Sequence, residues 1–222
     1  MVAPKTNIHG VGINDADYPC SGKNWVTQEG KHGKCPFYRK WCHMLDRVYD
    51  PIHISKFPHC KGNSIQDEWL YFSNFRKWMS SQVYEGLHLD KDILVQGNKH
   101  YSESTCALIP NYLNLLFVDG FANRGSYPLG VWKGTPKNER SPDRFVAQCG
   151  TGHNKGRIYL GSYKSPMEAH SKWQEQKIVQ IEYSILRFRK ESCYRKDIET
   201  SLDMRINQLK FESAVGIETT FL

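Results

Sequence analysis

The sequence predicts an α+β chain. A helical N-terminal part leads into a strand–turn–strand–helix segment. Three short antiparallel strands with a backing helix follow, and then a C-terminal helix. Three observations predict this. Apolar residues recur at three- and four-residue spacing over 36–49 and again from Trp69 to Met79. Two strand-like runs flank the turn pair Gly97-Asn98. Beyond residue 128, three short runs separated by Gly, Pro and Asn lead into Ser165-Pro166-Met167-Glu168, a helix start with Ser at the cap and Glu three later.

In chain order, residues 1–34 read as an irregular arm with at most one short strand, being rich in Gly, Asn, Asp and Lys. Pro36 opens a helix whose Tyr38, Trp41, Leu45 and Val48 share a face, and Pro51 and Pro58 bracket a loop. A second helix carries Trp69, Phe72, Phe75, Trp78 and Met79, aromatics at core spacing. Residues 87–95 alternate as a strand, a second strand runs through Cys106–Ile109, and Pro110 opens a short helix through Asn114 to Phe117. Residues 120–127 read as a linker. Leu129–Trp132, Arg144–Cys149 and Arg157–Tyr163 read as strands, and helices follow from Pro166 and over 194–215. The expected divisions are an arm (1–34), a first domain (35–119), the linker, a second domain (128–180) and a helical extension (181–222).

Composition narrows the partners. The 222 residues are 39% hydrophobic and 13% aromatic, enough to build a core. A net charge of +7 and a pI near 9.0 favour polyanions. No run approaches the roughly 18 apolar residues of a membrane span, and Met1 to Gly10 lacks a signal-peptide pattern. An intracellular, cytoplasmic location is therefore expected. Seven scattered cysteines suit free thiols better than a disulfide framework, and the closest pair, Cys35 and Cys42, lacks the spacing of a zinc knuckle.

Chemistry concentrates at residues 88–92. On a regular strand, His88, Asp90 and Asp92 share one face and Lys91 points the other way. Two carboxylates on one face repel unless a cation neutralises them, and hard divalent metals take such oxygen ligands with water and phosphate. Asn114 offers a further oxygen. A solvated Asp-Lys-Asp hairpin edge is the rival reading of the same spacing.

The stretches Leu89-Asp90-Lys91-Asp92-Ile93-Leu94, Gly97-Asn98-Lys99, Tyr101-Ser102 and Thr105-Cys106 resemble a phage-encoded HNH endonuclease family. Upstream segments are similar to the same family, in order: Val11–Tyr18, Cys35-Pro36 through Trp41, Met44-Leu45, Glu68-Trp69-Leu70 and Phe72-Ser73-Asn74-Phe75 with Trp78-Met79. The resemblance covers most of 10–118. It implies a ββα-metal hairpin and helix holding Mg2+ or Mn2+, with Asp90 and Asn114 as ligands, Asp92 beside them, and Thr105 near the middle position. Lys91 departs from the pattern, standing where the general-base His is usual. His88 and His100 are the substitutes, and Lys91 becomes a phosphate or transition-state contact. Asn63 and Gln66 stand where a cysteine pair is common.

Residues 128–177 are similar to the AP2 DNA-binding domain through Pro128–Trp132, Phe145-Val146-Ala147, Ile158–Tyr163 and Ser165–His170. This segment carries nine Lys or Arg against four acids, so most of the chain's excess charge lies here. The resemblance places Trp132, Gln148, Arg157 and Tyr159 on the DNA-contacting face, with Lys133 and Arg144 as nearby phosphate contacts. Trp132 stands where the family often has Arg.

Together the two resemblances imply a free-standing homing-type endonuclease that nicks double-stranded DNA in the host cytoplasm, as a monomer or homodimer. The rival classes are a DNA-binding regulator or interference protein on a catalytically degenerate nuclease scaffold, and a structural virion protein.

Overall fold

In the computed structural model the described residues are 7–26, 32–117, 125–134, 143–150 and 156–222. They form a mixed α+β chain of six helices and several small sheets. The chain divides into two compact units, Met1–Leu108 and Ile109–Leu222. The linker expected at 120–127 lies largely outside the described residues, and the division falls earlier. Among the described residues no helix is long and apolar enough to cross a membrane.

The arm of the first unit is more ordered than its composition implied. Strands β1 (Asn7–Ile8) and β2 (Gly12–Ile13) pair antiparallel, as do β3 (Ser21–Val26) and β4 (His32–Lys34). Glycine-rich composition hid two hairpins that are held by backbone pairing. Helix α1 (Pro36–Tyr49) starts with Pro at its first position and buries Tyr38, Trp41, Met44 and Leu45. The loop expected between Pro51 and Pro58 is instead α2 (Pro51–Lys56), because the Asp50 carboxylate caps Ile52 N–H at 2.9 Å. A 3₁₀ turn (Pro58–Cys60), β5 (Ser64–Ile65) and a second 3₁₀ turn (Asp67–Leu70) follow.

Helix α3 (Phe72–Ser80) buries Phe72, Phe75, Trp78 and Met79. Its own N-cap, Tyr71, supplies no side-chain bond. The arm does so instead. Asp15 accepts from Ser73 N at 2.8 Å and from Ser73 Oγ at 2.5 Å, placing a carboxylate at the positive end of the helix. Trp41 and Trp69 are almost wholly buried, and the Trp41 indole donates to the Trp69 carbonyl at 2.7 Å. Three short strands follow, β6 (His88–Asp90), β7 (His100–Tyr101) and β8 (Ala107–Ile109). β6 pairs with β8, whereas β7 pairs parallel with β5. The expected second strand, Cys106–Ile109, is β8 and pairs with β6, while the short β7 just after Gly97-Asn98 joins β5 instead.

The second unit opens with a single helical turn, α4 (Asn111–Asn114), shorter than the helix expected to Phe117. β9 (Val131–Lys133), β10 (Phe145–Gly150) and β11 (Arg157–Tyr163) form an antiparallel sheet in the order β11-β10-β9. Helix α5 (Pro166–Phe188) packs on it, with the Ser165–Glu168 capping box formed. Val131, Ala147 and Ala169 make the shared core, flanked by Tyr127, Phe145, Leu160 and Tyr163. α5 passes unbroken through residues 180 and 181, so the expected boundary there is no structural break. α6 (Lys196–Val215) returns along α5, and the turn between them is tied by Arg189 and Lys196 on the buried Glu199.

Two contacts lock α5 to its surroundings. His170 is fully buried; its Nε2 accepts from Thr219 N at 2.9 Å, so its Nδ1 carries the proton and donates to the Leu129 carbonyl at 2.9 Å. Gly130, at φ +76°, sits against the Trp173 ring so closely that an added Cβ would fall 1.9 Å from Cδ1. Gly130→Ala is therefore expected to cost at least about 2 kcal/mol, combining left-handed strain with overpacking. Gly216→Ala, at φ +70° but in open space, is expected to cost about 1 kcal/mol. Urea unfolding of both variants checks this; equal losses would contradict the close approach.

Candidate functional site

The candidate site of the first unit grows from the end of β6. Asp90 Oδ1 accepts from Asp92 N at 2.9 Å and from Ile93 N at 2.6 Å. Two backbone donors folded onto one carboxylate turn the chain, so the strand stops at Asp90 instead of running to Val95. The expectation that Asp90 and Asp92 alternate along one strand face is corrected: Asp92 lies past the turn. The two carboxyls remain close. Burial, and then the Asp92 charge, push Asp90 up to about 6, against the lowering effect of the two backbone N–H bonds.

Lys91 does not point away from this pair. Its ammonium donates to Asp92 Oδ2 at 2.9 Å and to the Asn98 carbonyl at 2.8 Å. Its side chain is only 12% exposed. An amine held as a donor to a carboxylate and a carbonyl is in the wrong protonation state to accept a proton. Asn98, read from the sequence only as a turn residue, closes the loop. Its Nδ2 donates to the Lys91 and His100 carbonyls, each at 2.6 Å, and its Oδ1 accepts from His100 N at 3.1 Å. Thr105 holds the far side, donating to the His100 carbonyl at 2.7 Å and accepting from Ser102 N at 3.2 Å. Asn98 and Thr105 thus fix the loop together.

The imidazoles differ. His100 Nδ1 bonds Ser64 Oγ at 2.8 Å, which turns it toward β5. His88 lies on the same side of β6 as Asp90 and is exposed. It has no side-chain hydrogen bond among the described residues. Burial, then the charges of Lys40 and Arg47, hold its pKa below the ordinary histidine value, so it is neutral near pH 7 with a lone pair to offer. His59, in the first 3₁₀ turn, is not among the site residues that the sequence points to. Its pKa is lowered by burial and by Lys99, Arg47 and Lys91, while Asp92 opposes them, which places it beside the loop. Arg47 was also missed; no local pattern brings residue 47 to residue 90.

Among the described residues no three His, Cys, Asp or Glu side chains converge on one metal position. The carboxyl pair nonetheless has suitable donor chemistry, because a divalent cation relieves the repulsion that raises Asp90. Mg2+ commonly takes one or two carboxylates and completes its shell with water and phosphate. Asn114, half-buried at the end of α4, belongs to the second unit.

In the second unit, Val131, Ala147 and Cys149 point to the buried side of the sheet. Alternation turns Trp132, Arg144, Val146 and Gln148 to the opposite, open side. Gln148 pairs with Tyr159, and Gly150 with Arg157, so both partners join that side. Tyr159 is 62% exposed. The bulge at Leu160, against Gly161 at φ +126°, lets β11 keep its outer residues outward and still return Tyr163 to the core. Five of the six expected contact residues thus share one face. Lys133 does not: it pairs with Phe145 on the core side, at the sheet edge, and its ammonium is bound to Asp143 at 2.8 Å.

No family model, curated protein or solved structure matches this chain.

Asp90 has a consequence for stability. Its folded pKa, about 6, lies above the ordinary 3.8, so its favourable contribution is present below that ordinary value and is lost as pH rises through 6. Asp90→Asn keeps the Oδ1 acceptor and removes the charge. Without divalent metal it is expected to match the wild type near pH 4 and to exceed it by about 2 kcal/mol at pH 7.5. Urea denaturation in EDTA at both pH values checks the sign; a less stable variant at pH 7.5 would refute it.

Proposed function

We propose that this protein is a metal-dependent DNA endonuclease of the HNH type that nicks double-stranded DNA. The observation that supports this reading most strongly is the loop at the end of β6. There an acid pair with a strained carboxyl sits beside a histidine kept unprotonated at neutral pH. Asp90 and Asp92 are the residues that would hold Mg2+ or Mn2+. The cation, when bound, contributes Lewis-acid stabilisation of negative charge on the phosphate and the leaving 3′ oxygen. His88 takes the proton of the attacking water, and Lys91 holds Asp92 in place. Asn98 and Thr105 keep the loop from opening. One site per chain cuts one strand at a time, so nicking is the product unless two chains act together.

The open face of the second unit's sheet is the DNA-reading surface in this proposal. Arg157 and Arg144 meet phosphates, while Trp132, Gln148 and Tyr159 meet base edges and sugars in a major groove about 12 Å wide. Trp132 precludes carrying over any family base preference.

A second reading is a DNA-binding regulator on a degenerate nuclease scaffold. The specific observation in its favour is Lys91, which replaces the usual base and is locked in an ion pair.

Plasmid nicking separates the two. Supercoiled DNA is expected to relax to open circles with Mg2+ and not with EDTA. Asp90→Asn should slow this about a thousandfold while leaving DNA binding intact, as several kcal/mol of charge stabilisation implies. Binding without any metal-dependent cutting would favour the regulator. On the sheet, Arg157→Ala and Tyr159→Ala are each expected to weaken duplex binding about 5- to 100-fold, with Lys172→Ala unchanged as a control on the helix side. Gel-shift titration measures this, and equal affinities for all three variants would remove the sheet from the interface.

A further inference from the structure

A small acidic centre repels a polyanion, and a basic surface beside it offsets that repulsion. The segment from Pro51 to Ser64 runs through α2 and the first 3₁₀ turn to the start of β5. It contains no acidic residue and carries His53, Lys56, His59 and Lys61. The acid just before it, Asp50, is engaged in capping Ile52 N–H. Lys56 and Lys61 are exposed. Two large apolar side chains also face water here, Ile52 at 67% and Phe57 at 44% exposure.

The rings of this corner form a row. His53 and Phe57, one helical turn apart, have ring centroids 4.7 Å from each other, and Phe57 and His59 follow at 6.0 Å. Hydrogen bonds tie the row to the acid loop. Lys99 Nζ donates to the His59 carbonyl at 2.5 Å, and Ser64 N donates to the Lys99 carbonyl at 2.8 Å. The residue before Lys99 is Asn98, whose carbonyl accepts from Lys91, and Lys91 in turn holds Asp92. Lys99 is exposed and keeps donors for a further acceptor. In sequence, Lys56 and Lys61 flank an aromatic row whose end meets Lys99 at the loop. Cations interleaved with exposed rings suit nucleic acid, since the cations take phosphates and the rings take sugars and bases.

We propose that this corner is a DNA-contact surface of the first unit, carrying the strand that runs up to the Asp90 loop. Lys56 and Lys61 meet phosphates, Lys99 meets the phosphate nearest the loop, and Phe57 packs on a sugar and base edge among them. The role rests on the function proposed above for its partner, DNA, and not for the cutting step. It adds residues that neither the loop sequence nor the two resemblances name.

The test uses the full chain and a short DNA duplex. Equilibrium binding is measured in EDTA at several salt concentrations, and plasmid nicking in Mg2+. Thermal unfolding confirms that each variant is folded. Lys56→Ala and Lys61→Ala combined are expected to reduce the salt slope by about two and to weaken binding roughly 50-fold at about 0.1 M salt, as loss of two phosphate contacts requires. Lys56→Arg with Lys61→Arg should keep the wild-type slope, because the charges remain. Phe57→Ala should bind about fivefold more weakly with its slope unchanged, as covering a half-exposed ring implies. Vesicles of anionic phospholipid are expected not to compete with the duplex. A wild-type slope in the folded double-alanine variant, or wild-type affinity in Phe57→Ala, would overturn the proposal. Vesicle competition that the alanine pair abolishes would overturn it too, and would reassign the surface to lipid headgroups. A wild type that binds but never nicks, with the alanine pair still lowering the slope, would sink the nuclease reading and uphold the DNA contact.

Discussion

One carboxylate oxygen organises the first unit's site. Asp90 Oδ1 takes two successive backbone N–H groups, those of Asp92 and Ile93, and so ends β6. Everything beside it follows from that turn. Asp92 is thrown off the strand, Lys91 swings back to pair with it, and Asn98 can reach the carbonyls of Lys91 and His100. The same geometry keeps Asp90 partly shielded from water and next to a like charge, which is why its proton affinity rises while two donors work to lower it. A loop built this way holds unfavourable charge against firm backbone bonds.

Much of the fold was legible because it rests on periodic burial. Tyr38, Trp41 and Leu45 on α1, and Phe72, Phe75 and Trp78 on α3, announce their helices by spacing. The Ser165–Glu168 cap and the short runs beyond residue 128 announce the sheet and helix of the second unit. What escaped was set by single side-chain contacts. Asp50 made a helix where prolines suggested a loop, and Asp15 capped α3 from more than fifty residues away. The candidate site divides in the same way. His88 and Asp90 were readable as alternating neighbours, but the strand was read too long because alternation carries no information about where a side chain will capture the backbone. His59 and Arg47 reach the loop only through tertiary packing, and no local signal marks them.

The two units handle charge differently. In the first, Lys91 is engaged by Asp92 and the Asn98 carbonyl beside a small acidic centre. In the second, Arg144 and Arg157 lie on an open sheet face beside the exposed ring of Tyr159. Lys133, which the sequence grouped with them, is spent on Asp143 at the edge. Strand register, more than composition, decides which basic residues share a surface. The bulge at Leu160 is part of that decision, since a regular β11 would turn either Tyr159 or Tyr163 to the wrong side.

Gly130 lets the start of β9 rest directly on the Trp173 ring, while His170 bolts the same helix to the Leu129 carbonyl. The seating of the sheet on α5 is thereby fixed from one side alone. Residues on the outer side carry none of that duty, so the surface they make is free to diversify while its platform stays constant.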